Sequence, residues 1–368
     1  MVPDRLLSPA TLAGLALDNH VVMAPMTRSR APAPQCIPTA LMAEYYAQRA
    51  GAGLIISEGT VVSANARGYA HTPGIYSAAQ IAAWREVTAA VHARGGKIFV
   101  QLWHCGRVAH SANHEDGSPV LGVSEVAAQT KVYVPDSATG GIKGAAAEAP
   151  RAMSGNEVRA VVSQFGLAAR AALEAGFDGA EVHGANGYLF DQFRCPMLNE
   201  RQDEYGGSLE NRYRMLVDAL VAVSEVFGAD RVGVRISPYG TGNDMQADPD
   251  PLTTYPYLAG EAQRLGLAFL HVYDQAGSWI HEPGNGLLAA LRQRFHGAIL
   301  LCGGFDATKA EAALQRGPGN LIAFGKAFIS NPDLPRRLAR EAPLAPWDVH
   351  TFYKGGAQGY TDYPVLGQ

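Results

Sequence analysis

The chain has 368 residues, 47% of them hydrophobic, with a formal net charge of −4 and four cysteines. That is enough apolar material for a large core, and it excludes the basic runs that nucleic-acid or anionic-membrane binding needs. No window approaches the ~18 consecutive apolar residues of a transmembrane helix.

The cysteines, Cys36, Cys105, Cys195 and Cys302, stand far apart and form no C-x-x-C or C-x-x-H spacing. They point away from zinc or an iron–sulfur cluster, so no metal is expected, and toward a reducing, cytoplasmic setting. The first twenty residues hold acidic side chains and no signal-like apolar core, so they read as mature protein.

In chain order, eight short apolar runs recur: "HVVMAPM" (20–26), "GLIISEGT" (53–60), "KIFVQLWH" (97–104), "GAEVHGA" (179–185), "RVGVRIS" (231–237), "AFLHVYD" (268–274), "AILLCGG" (298–304) and "LIAFGKA" (321–327). Near-continuous apolar runs of this length predict parallel strands covered on both faces. Helical spacing fills most of the intervals. "AAQIAAWREVTAAVHARGG" stops on a glycine pair, and "SGNEVRAVVSQFGLAARAALEAGFDG" starts near Ser154 or Asn156. Eight strands alternating with helices predict an α/β fold, a (β/α)8 TIM barrel, with residues 1–368 as one domain. A doubly wound sheet is the second choice, disfavoured because no G-x-G-x-x-G follows any of the runs.

One connection is out of scale. Residues 107–153, between the third strand and the next helix, contain β-like pieces in "VLGVSEVAAQTKVYVPDS". A long insertion at the catalytic face is expected to form a lid or one wall of a cleft.

A barrel of this kind carries its chemistry at the C-terminal strand ends. Thr27 follows strand one, strand three ends on Gln101, Trp103 and His104, and strand five contains Arg235. Strand four runs into "EVHGANGYLF", which gathers His183, Asn186 and Tyr188 within six residues. Strands seven and eight run into Gly303–Gly304 and Gly325–Lys326. Glycines at those two strand ends let backbone N–H groups approach a phosphate, and Lys326 and Arg235 add positive charge. A phosphate site beside Gln101, Arg235 and the apolar "APM" suits flavin mononucleotide.

At this point the chain resembles the old yellow enzyme family of flavin-dependent ene-reductases. The resemblance runs over nearly the whole length through "APMTRSRA", "SEGT", "QLWHCGRVAH", "GYLFDQFRCPMLNERQDEYGGSLENR", "RISPYG", "CGGF", "AFGKAFISNPDLP" and "TFYKGGAQGYTDYP". It implies non-covalent FMN, with NADPH or NADH as reductant. The backbone of Ala24, Pro25, Met26 and Thr27 would lie along the flavin, with Gly59 near the same edge. Gln101 and Arg235 would meet the pyrimidine ring, and Gly303, Gly304, Gly325 and Lys326 the phosphate. His183 and Asn186 would hold a substrate oxygen, Tyr188 would donate a proton, and Trp103 and Tyr353 would wall the cleft. Electron-poor alkenes (enones, maleimides), and nitro compounds or nitrate esters, are the implied substrates, in a ping-pong reaction of a monomer or homodimer.

Thr27 and the His183/Asn186 pair match the classical branch of that family. Cys105 stands where the pattern usually has Thr, and Lys326 where it usually has Arg. Two other classes remain open on the residues alone: a barrel aldolase or isomerase that uses the phosphate site, and a flavin-binding protein without turnover.

Overall fold

The computed structural model describes residues 3–282, 286–317 and 319–367. Among these, eight parallel strands close a barrel: β1 (Val21–Met23), β2 (Leu54–Val61), β3 (Ile98–Trp103), β4 (Gly179–His183), β5 (Val232–Ile236), β6 (Phe269–Tyr273), β7 (Ala298–Cys302) and β8 (Leu321–Phe324). All eight apolar runs are barrel strands, and β8 returns to pair with β1. Nearly every strand residue is buried, as strands sandwiched between helices and a filled barrel must be.

The helices begin where local chemistry satisfies their free N–H groups. Ser77 and Gln80 form a reciprocal capping box at Ala78–His92, and Ser154 and Glu157 do the same at Gly155–Glu174. Helix Gly155–Glu174 packs on Leu209–Phe227 through an alanine-rich face.

Two features direct the site to one end of the barrel. An N-terminal hairpin, Ala10–Leu12 with Leu15–Leu17, packs Leu12 and Leu17 against Val22, Leu54, Phe99 and Phe269. That plug closes one end with apolar side chains. In β2, the register with β3 shifts between Ile56 and Gly59, a bulge that brings Ser57 and Glu58 out of simple alternation next to the open end.

The segment at 107–153 is ordered. Lys131–Asp136 and Gly141–Ala146 form an antiparallel hairpin, and Leu121–Gly122 pairs with Arg151–Ala152. Along the first hairpin strand Val132 and Val134 are buried while Lys131 and Tyr133 face outward. The buried pair packs on Val108 and Ala128, with Tyr69 and Tyr188 alongside. The second strand, "GIKGAA", has Ile142 as its one β-branched residue and no aromatic; its pairing with the first imposes the conformation.

Candidate active site

Two cavities, of 490 and 860 Å3, lie at the open end of the barrel and share Tyr273, Cys302, Gly325 and Lys326 as lining. The smaller is lined by Ala24, Pro25, Met26 and Thr27 together with Trp103, Asn186, Tyr188, Arg235 and Tyr353. The larger runs past Gly303, Gly304, Gly325 and Lys326. Three other residues expected at the site, Gly59, Gln101 and His183, are not part of this lining; Gly59 and His183 pack against Trp103, which is.

The wall after β4 is built by a tight turn. Asn186 and Gly187 both adopt positive φ, 60° and 77°. Asparagine tolerates that region, and glycine is required at 187, where a Cβ would fall 2.6 Å from Met245 Cγ. Asn186 N donates to Ser237 Oγ at 2.8 Å, and Gly187 N donates to Asp191 Oδ2 at 2.9 Å. Asp191 in turn pairs with the buried Arg194, which also pairs with Asp248. Tyr188 is thereby fixed at the start of helix Leu189–Arg194. The Asn186 Oδ1 is buried without a hydrogen-bond partner among the described residues.

His183 is 5% exposed, and Ala185 N donates to its Nδ1 at 3.3 Å. A ring that accepts at Nδ1 carries its proton on Nε2. Burial first, then Arg235 and His271, hold its pKa well below the usual imidazole range. His183 is therefore a neutral Nε2–H donor. His104, in the neighbouring strand end, is likewise neutral: burial pushes it down to about 3, and its Nδ1 accepts from Gly106 N at 3.0 Å.

Tyr188 Oη donates to Tyr69 Oη at 3.3 Å, and its ring meets those of Trp103 and His183 edge-on at 4.9 and 5.0 Å. Burial, with Tyr69 and Cys105 nearby, raises the Tyr188 phenol well above 10. It is a fully protonated hydroxyl at neutral pH. Tyr69 stacks on Trp103 at 5.8 Å. Gly59 supports the same ring from behind, since a Cβ there would lie 2.5 Å from Trp103 Cε3.

On the adjacent strand β5, Arg235 is 6% exposed, lies over the Tyr273 ring at 4.6 Å, and leaves Nε unpaired. At the far end, Gly303 and Gly304 have φ of 136° and 62°. A Cβ on Gly303 would sit 2.5 Å from Asp274 O. Lys326 reaches along this end with Nζ 5.8 Å from the Trp347 ring.

Several contributors were not legible as site residues. Arg28 and Arg30, within "TRSR", donate to the carbonyls of Thr351, Phe352 and Gly359 at 2.8–3.1 Å. They dock the C-terminal segment that carries Tyr353 across the cavity mouth, where its ring stacks on Tyr133 of the hairpin at 6.3 Å. Glu58 lies beneath them, hydrogen-bonded by Arg28 N and Tyr46 Oη, and burial pushes its carboxyl up to about 7. Arginines just past an apolar strand were the available signal. Tyr69 had none, because it comes from the loop after β2 and meets Tyr188 only through the fold. Cys105 is fully buried and its thiol is raised well above the ordinary range, which makes it an inert packing residue.

Comparison with known proteins agrees with this geometry. The family described as NADH:flavin oxidoreductase / NADH oxidase matches residues 5–345. The 12-oxophytodienoate reductase 7 of Oryza sativa subsp. japonica is 41% identical, covering 99% of this chain and 95% of its own. A probable flavin mononucleotide-dependent alkene reductase of Leishmania infantum is 39% identical, with 99% and 98% covered. Morphinone reductase in complex with tetrahydroNAD superposes with a TM-score of 0.93 at 44% identity, over 98% of both chains. An old yellow enzyme homologue from Zymomonas mobilis gives 0.91 at 39% identity, covering 98% of this chain and 99% of that one. The chain belongs to the NADH:flavin oxidoreductase / NADH oxidase family, the old yellow enzymes, and is an FMN-dependent oxidoreductase reduced by a nicotinamide nucleotide.

Proposed function

We propose that this protein reduces electron-poor C=C bonds, as in enones and maleimides, and also nitro compounds or nitrate esters, and that NAD(P)H and the acceptor use one site in turn. The observation that carries the reading is a cavity lined by the Asn186 amide and a protonated phenol (Tyr188), with a neutral Nε2–H donor (His183) packed against the lining rings of Trp103 and Tyr188. Ala24, Pro25, Met26 and Thr27 line the same cavity.

The residues present fit FMN. The glycine end at 303–304 and 325 admits close backbone approach, and Lys326 supplies charge there. Lysine gives a point charge in place of a guanidinium fork. The unpaired Arg235 Nε would donate to an acceptor on the pyrimidine edge, with Thr27 in the lining of the same cavity and Gln101 also able to reach that edge. When bound, FMN supplies the two-electron hydride chemistry that no side chain here offers.

The chain's own work is binding, charge stabilisation and proton delivery. His183 Nε2–H and the Asn186 amide would hold the substrate oxygen, on which negative charge develops as the β-carbon is reduced. Tyr188 Oη would deliver the proton to the α-carbon, completing the two-electron, two-hydrogen addition. Tyr69 holds that hydroxyl in place and can return a hydrogen bond when it turns to substrate. The 107–153 segment and the Arg28/Arg30-docked Tyr353 would close the mouth and limit water.

A shared site predicts parallel double-reciprocal lines when NADPH and 2-cyclohexenone are varied together. Intersecting lines with independent saturation would mean two sites and contradict the reading.

A further inference from the structure

The polar floor of the barrel holds a carboxylate with no role in binding or chemistry so far. Glu181 on β4 is wholly buried between Gln101 on β3 and His271 on β6. Gln101 Nε2 donates to Glu181 Oε1 at 2.7 Å, and His271 Nδ1 contacts Glu181 Oε2 at 2.6 Å. Gln101 and His271 are 2% and 0% exposed. Burial lowers the His271 pKa, so the ring is neutral and donates from Nδ1. Both carboxylate oxygens therefore have their donors.

We propose that Glu181, itself held by His271, is a positioning residue that fixes which end of the Gln101 amide faces the cofactor. A carboxylate only accepts. It holds the amide NH2 inward, and a flipped Gln101 would set oxygen against oxygen in a buried, low-dielectric place. The Gln101 Oε1 has no hydrogen-bond partner among the described residues, so Gln101 presents an acceptor. Arg235, two strands along on β5, presents its unpaired Nε. The Gln101 acceptor on β3 and the Arg235 donor on β5 flank Glu181's strand, and the acceptor is what selects a flavin pyrimidine edge through its imide N–H.

The inference rests on the flavin reading, and the test separates the two. The full chain, stripped and reconstituted, is titrated with FMN and with N3-methyl-FMN, which lacks the imide proton, following flavin fluorescence. The wild type should prefer FMN by roughly 10- to 100-fold, the cost of leaving a buried acceptor unmet. Gln101→Leu should reduce the preference to within about 3-fold. Glu181→Leu should do the same, and the double variant should match Gln101→Leu alone. Glu181→Gln keeps volume and hydrogen bonding but offers either amide end, so the preference should fall at least about 3-fold even if the Leu variant does not fold. Failure of the wild type to bind FMN would overturn the flavin reading. FMN binding with an unchanged preference in a folded Glu181 variant would overturn the positioning role alone.

Discussion

Tyr188→Phe should slow reoxidation by 2-cyclohexenone by roughly 10²–10⁴, the range for losing a positioned general acid, while bleaching by NADPH keeps its rate within a few-fold. The asymmetry follows from the chemistry: delivery of a hydride from NADPH needs no proton from this residue, and saturating an enone needs one at the α-carbon. The substitution keeps the ring, so the edge-on contacts with Trp103 and His183 survive. Only the hydroxyl and its bond to Tyr69 are lost. The Tyr188 phenol is raised well above 10, so the wild-type rate of this step should show no Tyr188 titration across neutral pH. Nitro or quinone acceptors should suffer less, because an oxygen takes its proton from water. Stopped-flow measurement of both halves decides the matter. Equal losses in the two would make Tyr188 an ordering residue, and no loss in either would move the acid elsewhere.

His183→Ala and Asn186→Ala should each weaken phenol binding, read from the charge-transfer band of the yellow protein. A phenolate places one anionic oxygen where the enolate oxygen forms, so it reports the two donors without turnover. Removing one preorganised donor of this type costs about 2.7–4 kcal/mol. The neutral state of His183 matters here. An imidazole held well below its usual pKa donates from Nε2 at every pH where the protein is folded and active. Phenol affinity in the wild type should accordingly follow the phenol's own ionisation and not a histidine titration near pH 6.5. Unchanged phenol titrations in both variants would remove them from the oxyanion role.

The barrel was readable because its strands are buried on both faces and so are written as continuous apolar runs. Periodicity and the absence of a glycine fingerprint were enough to choose the closed sheet. The candidate site was legible where residues sit at strand ends, since the fold brings Thr27, Asn186, Tyr188 and Lys326 to one cavity with His183 packed against its lining. It was not readable where a residue acts through a partner distant in sequence. Tyr69 meets Tyr188 across 119 positions, and Glu181 meets Gln101 across 80. Nothing local distinguishes such a Tyr from packing or such a Glu from a strand outlier. The hairpin's second strand escaped for a different reason. Its glycine- and alanine-rich residues carry little β signal beyond Ile142 and take their conformation from Lys131–Asp136. Gly59 could be marked as special in sequence, but the ring it accommodates, Trp103, was visible only in the fold.

The central claim is that one flavin site takes electrons from a nicotinamide and passes them to an electron-poor alkene. The most direct measurement is an anaerobic spectrum of the purified full chain, recorded before NADPH, after one equivalent, and after one equivalent of 2-cyclohexenone. The account predicts a yellow protein that bleaches and then regains its oxidised spectrum with stoichiometric cyclohexanone. A colourless protein able to process a phosphorylated sugar, or a yellow one that stays bleached in the presence of enone, would contradict it.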